Sequence, residues 1–129
     1  MAEKNRTEIG SVNWFDLTVE DAEMIRDFYS DVIGWVPENV PMGKYNDYSM
    51  KSPESGKIAA GICHARGFNQ DLPPQWLIYI TVKNVDESIK KCTNSGGKVI
   101  SGPRKLGESA KYCVIQDPAG AVCALYEEI

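Results

Sequence analysis

At 129 residues, with 43% hydrophobic and 25% charged residues, the chain has the size and composition of one ordinary globular domain, or of two very small modules sharing a core. A formal charge of −4 with no run of Lys or Arg argues against a nucleic-acid partner. The polar start MAEKNRTEIG has no apolar signal core, and no stretch reaches the ~18 apolar residues of a membrane span, so a cytoplasmic protein without a membrane partner is expected.

Residues 1–9 are expected to be a flexible N-terminal segment. The first regular element is then a strand through NWFDLTV, in which Phe15, Leu17 and Val19 point one way and Trp14, Asp16 and Thr18 the other. A helix follows. Asp21 is its N-cap, Ile25, Phe28, Tyr29, Val32 and Ile33 form an apolar stripe at helical period, and Gly34 supplies the left-handed stop. Next comes a meander whose turn is Pro53-Glu-Ser-Gly56 and whose last strand includes Ile58 to Ile62.

The order then repeats. Ile80-Thr81-Val82 matches Leu17-Thr18-Val19 at an offset of 63, from Val19 to Val82, and runs into a second helix. There Asn84 and Glu87 resemble a capping box, Val85, Ile89 and Cys92 face inward, and Gly96-Gly97 closes the helix. Tyr48 to Gly56 matches Tyr112 to Gly120 at an offset of 64, from Gly56 to Gly120, with Pro118-Ala-Gly120 as the second hairpin turn. The expected organisation is a first βαβββ module over 10–65, a connecting loop over 66–74 and a second βαβββ module over 75–129. A single module cannot close a core, so an α+β fold is expected. In it, two pseudo-symmetric modules combine their twisted sheets around a shared, open, barrel-like cavity with the helices outside.

The stretches WFDLTVEDAEMIRDFYSDVIGW, WLIYITVKNVDES, GGKVISGP and DPAGAVCALYE resemble the vicinal oxygen chelate superfamily, which includes glyoxalase I, bleomycin-resistance proteins and extradiol dioxygenases. In its metal-using members, two ligands come from each module. Carried across by counting, those positions fall on Trp14, Ala60, Leu77 and Ala124. None of the four is a donor, whereas a divalent ion needs several oxygen, nitrogen or sulfur atoms within about 2–2.6 Å. No metal or other cofactor is therefore expected. A divalent metal held elsewhere, for instance by Asp16 and His64, is the alternative.

If the ligand positions face the cavity, strand alternation lines it with Trp14, Asp16, Thr18, Ala60, Ile62, His64, Leu77, Tyr79, Thr81, Val122, Ala124 and Tyr126. Trp14 is a stacking surface or a filler of the space a metal site would need. Asp16 and His64 are the candidate catalytic groups. Against these roles stand an Asp held by backbone or water and a histidine exposed in a loop. Thr18, Ile62, Leu77, Tyr79 and Tyr126 join Trp14 and Asp16 as candidate substrate-binding residues, while Tyr48 and Tyr112 read as a symmetry-matched structural pair. Cys63, Cys92, Cys113 and Cys123 show no CxxC spacing and read as buried thiols.

Two functions remain open. One is metal-independent binding of a small, partly aromatic or carbonyl-containing molecule. The other is an enzyme, either using Asp16, His64 and a tyrosine for proton transfer or working as a metal-dependent lyase or dioxygenase. A homodimer is expected in either case, and an interaction module with a vestigial pocket is a third class.

Overall fold

The computed structural model describes residues 8–129, so most of the expected flexible segment lies outside the described residues. The elements, in chain order, are β1 (Val12–Val19), α1 (Ala22–Ile33), β2 (Val36–Pro41), β3 (Asn46–Lys51) and β4 (Ile58–His64). A short 3-10 turn (Gly67–Asn69) leads into β5 (Trp76–Thr81), α2 (Val85–Asn94), β6 (Lys98–Leu106), β7 (Ala110–Gln116) and β8 (Val122–Glu128). This is the expected α+β order of two βαβββ repeats.

Two compact units result: a central one over Trp14–Leu77 and a terminal one that, among the described residues, joins 8–13 to Ile78–Ile129. The N-terminal residues belong to the terminal unit because Gly10 N donates to Thr81 O at 2.8 Å and Thr81 N donates to Ser11 O at 2.9 Å.

In the central unit the strand order is β2-β3-β4-β1, with β1 parallel to β4 and the other pairs antiparallel. Asp21 caps α1 by accepting from Met24 N at 3.1 Å, and Gly34 ends it at φ 90°, a conformation that only glycine adopts without strain. Ala22 of α1 packs with Tyr48, Met50 and Ile62 beneath the helix, and Ile25, Tyr29, Trp35 and Trp76 pack against them. Tyr29, Trp35 and Trp76 form a ring cluster with centroids 5.4–5.9 Å apart, and Trp76 Nε1 donates to the Tyr29 hydroxyl at 3.2 Å. The expected α1 stripe is narrower than its sequence period: Ile25 and Tyr29 pack inward, whereas Phe28 is 53% and Val32 62% exposed.

The terminal unit has the order β5-β8-β7-β6, with β5 parallel to β8. Asn84 caps α2 by accepting from Glu87 N at 2.9 Å. Val85 of α2 forms a core with Cys113 and Leu125 beneath the helix, with Ile80, Val82, Ile89 and Ile115 around them. In each unit, then, one sheet face is covered by its own helix and the other carries no helix.

Register corrects the expected lining. β1 pairs Asp16 with Gly61 and Leu17 with Ile62, while β5 pairs Tyr79 with Ala124. The structural counterpart of Ala124 is therefore Gly61, not Ala60. Gly61 and Cys63 share the face of Trp14, Asp16 and Thr18, whereas Ala60, Ile62 and His64 turn to the opposite face. The cause is two extra residues in the first meander. Its hairpin closes from Ser52 to Lys57 where the second closes from Asp117 to Ala121, and a register shift between Met50 and Lys51 leaves Ala59 extra in β4. For the same reason Tyr48 is not the counterpart of Tyr112. Tyr48 packs beneath α1, and Tyr112, paired with Tyr126, lies on the helix-free face.

Candidate functional site

In the central unit the helix-free face carries Trp14, Asp16 and Thr18 from β1, Gly61 and Cys63 from β4, and Asp47 and Ser49 from β3. Gly61 has no Cβ, and the Asp16 carboxylate and the Trp14 ring edge occupy the space that a side chain there would need. Cys63 lies between two carboxylates. Burial, first of all, then the charges of Asp16 and Asp47 and hydrogen bonds to both, push its thiol well above the ordinary cysteine range. A neutral S–H is thus held as a donor to carboxylate oxygen, and this cysteine is no nucleophile.

In the terminal unit the helix-free face carries Tyr79 and Thr81 from β5, Tyr126 and Ala124 from β8, and Tyr112 and Val114 from β7. Arg104, paired with Tyr112 from β6, donates from Nη1 to the Tyr112 hydroxyl at 3.2 Å, and the Tyr79 and Tyr112 rings lie 6.3 Å apart. These groups offer flat apolar area with phenol and guanidinium donors beside it.

The expected binding residues Trp14, Asp16, Thr18, Tyr79 and Tyr126 all lie on helix-free faces. Leu77 follows the α1-packed Trp76, turns the other way and is fully buried. Ile62 is corrected to the core under α1, where it fills space between Tyr48 and Met50 rather than lining the Asp16 face. His64 is corrected too: it is on the opposite face from Asp16, so the two candidate catalytic groups do not act on one bound atom from a common face. Nor is it a loop histidine, since it ends β4 and is only 8% exposed. Arg104 and Tyr112 were missed as site residues. The phase of β6 was unreadable because its pairing with β7 shifts between Val99 and Ser101 and again between Ser101 and Arg104.

The residues at the family's ligand positions do not fit a metal ion. With Gly61 replacing Ala60, the four side chains are an indole, a hydrogen, an isobutyl and a methyl group. No cluster of three or more His, Cys, Asp or Glu able to hold an ion occurs among the described residues. No helix among them is long and apolar enough to cross a membrane.

Comparison with known proteins agrees with this architecture. The family model described as the Glyoxalase/Bleomycin resistance protein/Dioxygenase superfamily matches residues 11–125. A protein named putative glyoxylase CFP32 from Mycobacterium bovis is 30% identical over 98% of this chain and 49% of its own length. The anthracycline biosynthesis protein DnrV of Streptomyces peucetius is 28% identical over 92% of this chain and 47% of its own. The chain thus spans about half the length of these curated relatives. Among solved structures, a superfamily member from Vibrio splendidus 12B01 is similar at a TM-score of 0.59 and 11% identity, covering 91% of this chain and 99% of that one, a likeness of fold. Repeat order, strand register and family match lead to one assignment: the chain belongs to the glyoxalase/bleomycin resistance protein/dioxygenase superfamily.

Proposed function

We propose that this protein binds a small, partly aromatic organic molecule against the helix-free face carrying Trp14 and Asp16, without the metal centre used by other members of its superfamily. The observation that carries the reading is the packing over Gly61. Where relatives place metal ligands, this chain sets a stacking indole, and a carboxylate fills the space left by a missing side chain. Trp14 supplies flat apolar contact and Asp16 accepts from a ligand hydroxyl, phenol or amide. Tyr79, Tyr126 and Arg104 give the terminal unit's helix-free face the same mixed character. The named role of the Streptomyces peucetius relative in anthracycline biosynthesis favours a planar aromatic ligand over a purely aliphatic one.

A thermal-shift screen of the full chain against planar phenols, quinones and small aliphatic oxo-acids tests the reading. Stabilisation by aromatic members, reduced in Trp14→Ala and in Asp16→Asn, is expected. Stoichiometric metal in the purified protein would overturn the metal-free part, and an aliphatic-only response the aromatic part. Pairing with a second copy belongs to the same proposal. Light scattering is expected to give about twice the 14.3 kDa chain mass, and a single-chain mass removes it.

An enzymatic reading draws on the same face. Asp16 would take a proton from a carbon or hydroxyl next to a bound carbonyl. Asp16→Asn separates the two: it would abolish turnover of a bound carbonyl compound while leaving Trp14-dependent binding measurable.

A further inference from the structure

His64 left the Asp16 face, but it did not become an idle core residue. On the central unit it borders a polar cleft of about 350 Å³, to which β3 and the turn before it bring Lys44, Tyr45 and Asn46, the segment after β4 brings Arg66, and α1 brings Glu23. The floor is rigid. His64 N donates to Asp47 Oδ1 at 2.9 Å, and the same oxygen lies 3.4 Å from His64 Nδ1. Asp47 is 7% exposed, and the Tyr45 ring meets the imidazole edge-on at 5.2 Å.

This geometry assigns roles. With Nδ1 set against the buried Asp47 carboxylate, the other ring nitrogen, Nε2, is left for a ligand. Arg66 stacks over the Tyr45 ring at 4.5 Å, which holds the guanidinium at the rim. No ion pair engages Arg66 or Lys44 among the described residues. The lining thus brings Lys44, Arg66 and His64 together with Glu23, and Asp47 stands behind the imidazole. The field of Glu23 falls partly on Arg26, whose guanidinium is held above its ordinary range first by its hydrogen bond to Asp27 and also by Glu23.

We propose that this cleft is a second binding site, separate from the Trp14 face, for a small oxyanion such as a phosphate or carboxylate group. Arg66 and Lys44 contact the anion, His64 hydrogen-bonds it through Nε2, and Asp47 is a positioning residue acting through the imidazole. His64 turns to the opposite face of the sheet from Trp14 and Asp16, and Asp47, on the Asp16 face, reaches it at the edge.

Because His64 is the only histidine, its ring signals in the NMR spectrum of the tag-free full chain report on the cleft alone. Titration with inorganic phosphate, and separately with propionate, is made at constant ionic strength against chloride. A saturable shift of the His64 signals with either anion is expected, phosphate alone marking a phosphate ligand and propionate alone a carboxylate. Binding should weaken by about tenfold or more in the folded Lys44→Ala/Arg66→Ala variant, as charge-assisted contacts are lost, and persist in Lys111→Ala on the terminal unit. In Asp47→Asn the ring-nitrogen shifts should report a changed tautomer, a readout a merely structural role would not move. No saturable shift with either anion, or undiminished binding in the folded double variant, overturns the proposal.

Discussion

A methyl group added at Gly61 would overlap the Asp16 carboxylate and come within 3.1 Å of Trp14 Cζ2. Asp16 is a short side chain on a strand and can yield only by leaving its rotamer, so Gly61→Ala should destabilise by about 1–3 kcal/mol in urea unfolding. The cost should be coupled to its cause. In an Asp16→Ala background the same substitution should cost clearly less, giving an interaction energy of about 0.5 kcal/mol or more in a double-mutant cycle. Equal costs in both backgrounds would show that Asp16 does not occupy the glycine's space. Little of this was legible in sequence. The alternation of β1 revealed which of its side chains share a face, but a glycine has no hydropathy phase and gives no sign of the carboxylate packed over it. His64 was likewise beyond reach, because its partner Asp47 is 17 residues away and comes from an antiparallel strand.

Helices were more readable than strands for a physical reason. Both helix starts are set by local contacts three residues apart, Asp21 to Met24 and Asn84 to Glu87, and such spacing is visible in the letters. The repeat offset of 63 also holds across the parallel pairs, since Asp16 with Gly61 matches Tyr79 with Ala124. What the letters concealed was that the first hairpin is one residue longer and that Ala59 is an extra residue in β4. Side chains on a strand alternate with period two, so each uncounted residue exchanges the faces of everything between it and the next correction. That slip moved Ala60, Ile62 and His64 across the sheet together, and it separated Tyr48 from Tyr112. Turn glycines and prolines gave the number of elements and left their phase open.

Buried thiols tie the stability of the whole molecule to alkaline pH. Cys113, in the core beneath α2, is pushed up to about 11 by burial first and then by Cys92 and Cys123, and Cys63 is raised by burial and its two carboxylates. In the unfolded chain a thiol ionises near its ordinary value, so above about pH 9 the unfolded state gives up protons that the folded state keeps. A raised folded pKa therefore means stability that is complete below that point and is lost as pH climbs. The slope is up to about 1.4 kcal/mol per pH unit for each thiol, and for Cys113 the loss runs from about pH 9 to about 11. Tyr48, raised chiefly by burial, and Lys111, raised chiefly by its hydrogen bond to Asp86, act in the same direction. The comparison must consequently be made between chains that differ only in the thiols. Urea midpoints measured between pH 7.5 and 10.5 should fall more steeply for the natural chain than for Cys63→Ala/Cys113→Ala. The double variant should start lower, because two filled sites become cavities, and decline less. Parallel declines would show that neither thiol is kept protonated by folding, and would remove Cys63 as the donor between Asp16 and Asp47.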